Sequence, residues 1–125
     1  MKAKELRLDN LIRHIALGDN VKVSQVTKYF ISADGITFNL EEFEPIPLTK
    51  EWLLKFGFEY KESDIYIIIT GKFIIAVGSD GSYGLCNNKD SWDRGESFNN
   101  REILNHVHQL QNLYFALTGE ELEIK

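Results

Sequence analysis

The histidines and the single cysteine are the side chains of this sequence best suited to metal binding or nucleophilic chemistry. His106 and His108 stand two positions apart in a predicted helix, which separates them by about 200° around the axis, so one metal ion is not expected to bind both. We predict that they lie at the surface or cap the helix. His14 lies in a predicted strand without an acidic or cysteine partner at ligand spacing. Cys86 has no histidine or lysine in its segment to activate the thiol, so the sequence predicts no metal, no cofactor and no catalytic residue.

Three regularly spaced glycines have the residue type of a phosphate-binding loop. They are Gly78, Gly81 and Gly84, and they lie between predicted strands. A phosphate loop needs a helix N-terminus behind it, because the free backbone N–H groups there bind the anion. We therefore interpret these glycines as turn and bulge residues.

A polar segment, residues 87–98, carries aromatic and basic side chains that the fold does not require. It contains Trp92, Arg94 and Phe98, and exposed tryptophan, arginine and phenylalanine are typical of binding surfaces. The sequence thus predicts a protein-binding surface at Trp92, Arg94 and Phe98. The alternative is that Trp92 folds back onto the core as a lid.

The basic residues are concentrated near the start of the chain. Residues 1–28 carry a net charge of +3, although the whole chain carries −5, so the remainder carries −8. This imbalance suggests a second hypothesis, in which N-terminal hairpins bind a nucleic acid through phosphate contacts and stacking of an aromatic ring on a base. Its residues would be Arg7, Arg13, Lys22, Lys28 and Tyr29. The acidic total argues against a nucleic-acid partner, because non-specific binding needs a concentrated basic face.

Length and composition indicate an ordinary globular protein. The 125 residues suit a single domain, 1–125, and 43% of them are hydrophobic and 26% charged. A lone cysteine suits a reducing compartment. The first residues are charged where a signal peptide would be apolar, and the longest apolar run, residues 65–69, is too short to span a membrane. We expect a cytoplasmic protein without a membrane segment.

The N-terminal part reads as a set of short antiparallel strands. Apolar and polar residues alternate over residues 21–26, as in a half-buried strand, and Asp34-Gly35 is a strong hairpin signal. Residues 6–43 are therefore predicted to form three or four strands, either an SH3-like barrel or an open sheet. Pro45 and Pro47 then separate this block from the next.

A short helix is predicted at about residues 50–56. Thr49 is a good N-cap, and Gly57 can adopt the left-handed conformation that ends a helix. Phe58 is placed to fold back on Leu53, as in a Schellman motif.

The C-terminal part combines strands with a longer helix. Residues 64–86 predict three antiparallel strands with a tight turn at Asp80-Gly81. Apolar residues at helical spacing predict a helix over about 100–118, beginning at Asn99 or Asn100 and covering these strands. The fold class expected from the whole pattern is α+β, with antiparallel hairpins, one short helix and a C-terminal helix packed on the sheet.

Three segments resemble a family of short uncharacterised proteins common in Gram-negative anaerobic bacteria and in their phages and prophages. They are the start K-E-L-R (residues 4–7), the middle P-I-P-L-T-K-E-W-L-L-K-F-G-F (residues 45–58) and the end V-H-Q-L-Q-N-L-Y-F-A-L-T-G-E-E-L (residues 107–122). The resemblance implies a phage or mobile-element origin and supplies no catalytic residue. Family members usually have glycine where this chain has Asp9, so the turn there is expected to be reshaped.

These observations give three hypotheses in order of preference. The first is a non-catalytic protein-interaction or accessory module of phage or prophage origin. The second is a nucleic-acid-binding β domain. An enzyme comes third, because the sequence offers only scattered carboxylates and histidines.

Overall fold

The computed structural model describes residues 3–33, 35–61, 64–70, 74–78, 81–86, 98–100 and 104–125. It confirms the α+β fold, with antiparallel sheets, a short helix and a C-terminal helix. The chain forms two compact units, Met1–Pro47 with His106–Glu121, and Leu48–Asn105 with Leu122–Lys125. The chain passes between the two units three times along its length. The single domain expected from the sequence stays a prediction.

The first unit contains a five-stranded antiparallel sheet in the order β4-β3-β2-β1-β5. Residues 6–43 hold four complete strands, within the three or four expected, and the first residue of a fifth. A 3₁₀ helix, Ala3–Glu5, precedes the sheet, and a second one, Leu40–Glu42, connects its fourth and fifth strands. The strands are β1 (Leu11–His14), β2 (Asn20–Val26), β3 (Phe30–Ala33), β4 (Ile36–Asn39) and β5 (Phe43–Pro45).

One face of this sheet forms the core of the first unit. The alternation that predicted β2 places Val23 inward, and the ladder sets Val23 opposite Ala33. The pairing of β2 with β3 shifts between Val23 and Gln25, which is a β-bulge that bends the strand. The buried apolar side chains of this core are Leu6, Ile12, Val23, Ile31 and Phe43.

The two predicted hairpin turns have different outcomes. Ala33 pairs with Ile36, so the first hairpin has a two-residue loop, and Gly35 has the expected positive φ of 78°. Its other predicted residue, at position 34, lies outside the described residues.

In the second hairpin Gly78 N donates to Ser82 O at 2.8 Å, which leaves three loop residues instead of two. Gly81 N donates to Gly78 O at 3.0 Å, so Gly81, with φ of 90°, is the last residue of the turn. The prediction put Asp80 and Gly81 at the two central positions of a tight turn, and position 80 lies outside the described residues. For Gly81 the prediction was wrong, because this glycine closes the turn in the left-handed conformation.

The second unit contains another five-stranded antiparallel sheet, in the order β10-β9-β8-β7-β6. The three predicted strands are present as β7 to β9. Two short strands flank them, and their few residues give no periodic signal of their own. The elements are α1 (Lys50–Lys55), β6 (Glu59–Tyr60), β7 (Ile65–Ile69), β8 (Ile74–Gly78), β9 (Tyr83–Cys86) and β10 (Phe98–Asn100).

The predicted signals at both ends of α1 are confirmed. Thr49 caps the N-terminus, with its Oγ1 accepting from Trp52 N at 3.5 Å. At the other end Gly57 has φ of 92°, and Phe58 N donates to Leu53 O at 3.0 Å. This is the Schellman arrangement that the sequence predicted.

The C-terminal helix, α2, spans Val107–Thr118 and begins later than predicted. Asn99 and Asn100 belong to β10, where Asn99 pairs with Gly84, so they do not cap a helix. His106 is the N-cap instead, and its backbone N–H donates to Gln109 Oε1 at 3.0 Å. The predicted end is confirmed by Gly119, whose φ is 76°. The helix groups with the first sheet and contacts β1, although we expected it to cover the strands of the second block.

Candidate functional site

The second 3₁₀ helix, Leu40–Glu42, holds two separate turns of the first unit together. At its start, Leu40 N donates to the carbonyl oxygen of Tyr29 at 2.8 Å, in the turn between β2 and β3. At its end, the Glu42 carbonyl oxygen accepts from Ile15 N at 2.8 Å, in the turn between β1 and β2. Residues far apart in the sequence are thereby brought to the two ends of one short helix.

Large apolar side chains stand exposed on both sides of this helix. Tyr29 is 63% exposed on one side, and Ile15 and Leu17 are 56% and 62% exposed on the other. Single exposed apolar residues are ordinary, but a group of them beside polar residues is a feature of interaction sites. We call Ile15, Leu17, Asp19, Tyr29, Glu41 and Glu42 the 3₁₀ surface.

The turn that carries Tyr29 is fixed by its own hydrogen bonds. Thr27 N donates to Phe30 O at 2.9 Å, and Phe30 N donates to Thr27 Oγ1 at 3.1 Å. The Lys28 ammonium lies 5.3 Å from the centroid of the Tyr29 ring. Because the backbone is already ordered, a partner that contacts Tyr29 would not have to order this turn.

The turn that carries Ile15 and Leu17 is fixed through His14. Its N–H donates to Asp19 O at 2.9 Å, and its carbonyl oxygen accepts from Gly18 N at 2.7 Å. The His14 side chain joins in as well, because its Nδ1 accepts from Leu17 N at 3.1 Å. Leu17 is thus exposed on an ordered backbone.

The ring of His14 is buried and lies close to Glu42 of the 3₁₀ helix. It makes edge contacts with Phe38 and Phe43, at centroid distances of 4.9 and 5.4 Å. Since Nδ1 accepts a hydrogen bond, the neutral ring carries its proton on Nε2. That nitrogen lies 3.7 Å from Glu42 Oε1. This separation is beyond hydrogen-bond distance, so the ring is held by Phe38, Phe43 and the N–H of Leu17.

Acidic groups dominate the charge of the 3₁₀ surface. Glu41 and Glu42 lie in the helix itself, and Asp19 is exposed in the turn next to Leu17. Lys28 supplies a positive charge beside Tyr29. The excess of carboxylates makes this surface more suitable for a cationic partner than for a phosphate.

Arg7, predicted to contact phosphates, is engaged within the first unit. Its guanidinium forms a two-pronged ion pair with Glu121, at 2.6 and 3.3 Å, and its Nε donates to Asn112 Oδ1 at 3.0 Å. It also donates to Gln111 O at 3.3 Å and lies 4.1 Å from the Phe115 ring centroid. These contacts attach the N-terminal segment to α2, which gives Arg7 a structural role.

The other predicted nucleic-acid residues lie along β1, β2 and the turn that follows β2. Leu11 is opposite Lys22 and Arg13 is opposite Asn20, so Arg13 and Lys22 are diagonal neighbours on one face of the ladder. Arg13 also lies 3.6 Å from Glu44, which neutralises it locally. Lys28 follows Lys22 by six positions and lies beside Tyr29 in the turn.

The predicted protein-binding residues are outside the part of the chain that can be described. Trp92 and Arg94 lie outside the described residues, and Phe98 is described as a backbone position of β10, paired with Leu85. Their role stays a prediction.

The sequence analysis missed the 3₁₀ surface. The available signal was the pair of apolar residues Ile15 and Leu17 immediately before the turn signal Gly18-Asp19-Asn20. Turns are normally polar, so apolar residues there indicate a surface with another purpose.

His106 and His108 also differ in part from expectation. His106 caps α2 as expected, but His108 is buried, and its ring stacks on that of His106 with centroids 5.7 Å apart. Burial lowers the pKa of His108, the neighbouring His106 lowers it further, and Glu5 acts in the opposite direction. The surface prediction failed for His108 because the inward face of α2 includes His108 and Gln111 beside Val107 and Leu110.

Within the described ranges, no three His, Cys, Asp or Glu residues are placed to hold a metal ion. Among the helices of those same ranges, none is long and apolar enough to cross a membrane. No protein-family model, curated protein or solved structure matches the chain, so its function has to be inferred from the site itself.

Proposed function

We propose that this chain is a non-catalytic protein-interaction module that binds its partner through the 3₁₀ surface. The observation that carries the proposal is the exposure of Ile15, Leu17 and Tyr29 around one short helix, at 56%, 62% and 63%. Covering such side chains with a partner releases water from apolar area, at roughly 25 cal/mol per Å². Aromatic and apolar residues of this kind carry much of the energy of protein interfaces.

The fixed backbone of the surface supports the same proposal. Hydrogen bonds from Leu40 N and Ile15 N tie both turns to the 3₁₀ helix, at 2.8 Å each. A preordered surface loses little conformational entropy on binding, which favours affinity.

The charges favour a protein partner over a nucleic acid. Glu41 and Glu42 follow Leu40, whose N–H bonds to Tyr29 O, and would repel phosphates brought to this surface. Arg7 is already paired with Glu121, at 2.6 Å. The chain as a whole carries a net charge of −5.

Three finer proposals accompany this one. The strand order, with a 3₁₀ helix between β4 and β5, supports an SH3-like arrangement of the first sheet. The resemblance of residues 4–7, 45–58 and 107–122 supports an accessory role in a phage or prophage. The single cysteine supports a cytoplasmic location.

The test is affinity capture from a lysate of the native host, treated with nuclease and analysed by mass spectrometry. Wild-type chain is compared with Leu17→Ser and with Tyr29→Ser. Ile36→Ser is the matched control, because Ile36 is 57% exposed and is the first residue of β4, whereas the 3₁₀ helix follows the last residue of that strand. We expect nuclease-resistant partners that both test variants lose and the control retains. Partners retained by all variants, or lost after nuclease treatment, would contradict the proposal.

A further inference from the structure

We infer that the partner presents a short extended segment in which arginine or lysine side chains adjoin apolar ones. This inference rests on the proposed function and specifies what the 3₁₀ surface recognises. Apolar side chains of the segment would cover Leu17 and Tyr29, and its cationic side chain would meet the carboxylates between them.

The composition of the surface gives the chemistry of the partner. Asp19, Glu41 and Glu42 are acidic, and Lys28 is the basic residue at its margin. Carboxylates next to exposed apolar side chains match a segment with the opposite charge and the same apolar character. An acidic or phosphorylated segment would be repelled at the same place.

The two glutamates of the 3₁₀ helix have different roles. Glu42 Oε2 accepts from Asn39 N at 2.8 Å, and Oε1 lies 3.7 Å from His14 Nε2, beyond hydrogen-bond distance. Glu41 is exposed in the same 3₁₀ helix. Glu41 is therefore the group to pair with a guanidinium or ammonium of the partner, and Glu42 positions the helix.

The dimensions of the surface set the length of the segment. A three-residue 3₁₀ helix rises about 6 Å, and the flanking side chains extend the surface on both sides. An extended segment advances about 3.3 Å per residue. A segment of about four to six residues is therefore enough to contact Leu17, Glu41 and Tyr29 together.

The experiment uses three synthetic, fluorescently labelled eight-residue peptides and the full chain. The peptides alternate leucine with arginine, with glutamine or with glutamate, so that they differ in charge alone. Binding is measured by fluorescence anisotropy at 50 and 300 mM NaCl. We expect the arginine peptide to bind about tenfold or more tightly than the glutamine peptide at low salt, with the difference shrinking at high salt.

Variants of the chain locate the binding. Glu41→Gln is expected to weaken the arginine peptide about threefold to fivefold. Leu17→Ser should weaken both the arginine and the glutamine peptides, because it removes apolar contact. Glu120→Gln is the control, since Glu120 is an exposed glutamate outside the 3₁₀ surface.

Two outcomes would overturn the inference in different ways. Equal losses with Glu41→Gln and Glu120→Gln would show general charge attraction without a site. Equal binding of the arginine and glutamine peptides, lost in Leu17→Ser, would overturn the cationic partner and leave the proposed function standing. If no peptide binds while host proteins are still captured through Leu17 and Tyr29, the inference again fails alone. If capture fails as well, the proposed function falls with it.

Discussion

Asp9 occupies a backbone conformation that glycine favours. Its φ is 69°, and its N–H donates to Val23 O at 2.8 Å, which holds the turn against β2. The left-handed region costs most residues about 1–2 kcal/mol, although aspartate tolerates it better than most. The turn before β1 therefore has the shape of a glycine turn while carrying an aspartate.

This strain predicts the effect of substitutions at Asp9. Asp9→Gly should be more stable than Asp9→Ala by about 1 kcal/mol, because alanine keeps the strain and glycine removes it. The free energies of unfolding from urea titrations test this comparison. Equal stability of the two variants would show that the turn relaxes to another conformation.

His108 predicts a pH dependence of stability. Its pKa lies below the ordinary 6.5, mainly because of burial and secondly because of His106, with Glu5 opposing. The folded state then binds fewer protons than the unfolded state just below pH 6.5, so the free energy of unfolding decreases as the pH falls through this range. Above the pKa that His108 has in the unfolded state, its titration takes nothing from the free energy of unfolding.

The measurement is the thermal midpoint of wild type and His108→Gln between pH 8 and pH 5. Both proteins retain His14 and His106, so their difference isolates His108. We expect the midpoint of the wild type to fall more steeply on acidification. Parallel curves would mean that His108 does not couple to folding.

The elements show which signals can be read from local sequence. The caps of α1 at Thr49 and Gly57 were predicted correctly because each depends on neighbours within a few residues. The start of α2 was not, because Asn99 and Asn100 have the residue type of an N-cap and are instead paired with β9. Strand pairing with distant residues overrode the local preference.

The attachment of the N-terminal segment to α2 predicts coupling between Arg7 and Glu121. A two-pronged, partly buried ion pair, with Asn112 and Phe115 also in contact, should couple by about 1 kcal/mol or more. A double-mutant cycle with Arg7→Ala and Glu121→Ala measures this coupling by urea unfolding.

The more exposed pair of Arg13 and Glu44, at 3.6 Å, provides the matched control. Its coupling is expected to be below about 0.5 kcal/mol, because solvent screens it and its separation is too long for a hydrogen bond. Equal coupling in the two cycles would refute the structural role assigned to Arg7.

Gln111 predicts a larger effect at the same junction. Its buried amide accepts from Leu11 N at 2.9 Å and donates to Asp9 O at 3.3 Å, which satisfies the backbone at the start of β1. Gln111→Leu preserves the approximate volume and leaves both backbone groups without this partner. We expect a loss of about 2–4 kcal/mol in the free energy of unfolding. A loss below about 1 kcal/mol would indicate that water replaces the amide.

At the scale of the whole molecule, the fold class follows from the sequence more readily than the site does. Alternating strands and turn glycines are local patterns, and they predicted the antiparallel sheets. The 3₁₀ surface depends instead on the bonds that join Leu40 to Tyr29 and Glu42 to Ile15. No local sequence pattern indicates these hydrogen bonds between distant residues. Ile15 and Leu17 could therefore be recognised as unusual in a turn, but they could not be assigned to one site with Tyr29.

The distribution of charge predicts weak or no binding to nucleic acids at physiological salt. The N-terminal excess of +3 has to act against −8 in the rest of the chain. Arg7 and Arg13 are in addition paired with Glu121 and Glu44. Phosphate contacts weaken steeply as salt rises, so a few unpaired lysines cannot maintain affinity.

Fluorescence anisotropy with labelled single-stranded DNA and RNA and duplex DNA, near 150 mM NaCl, measures this directly. We expect dissociation constants above about 100 μM, within the range of non-specific association or weaker. Micromolar binding that is lost in the double variant Arg13→Ala with Lys22→Ala would place a nucleic-acid site on β1 and β2. Because Arg13 and Lys22 lie outside the 3₁₀ surface, such a result would show a separate basic site. It would not show that Tyr29 binds a nucleic acid.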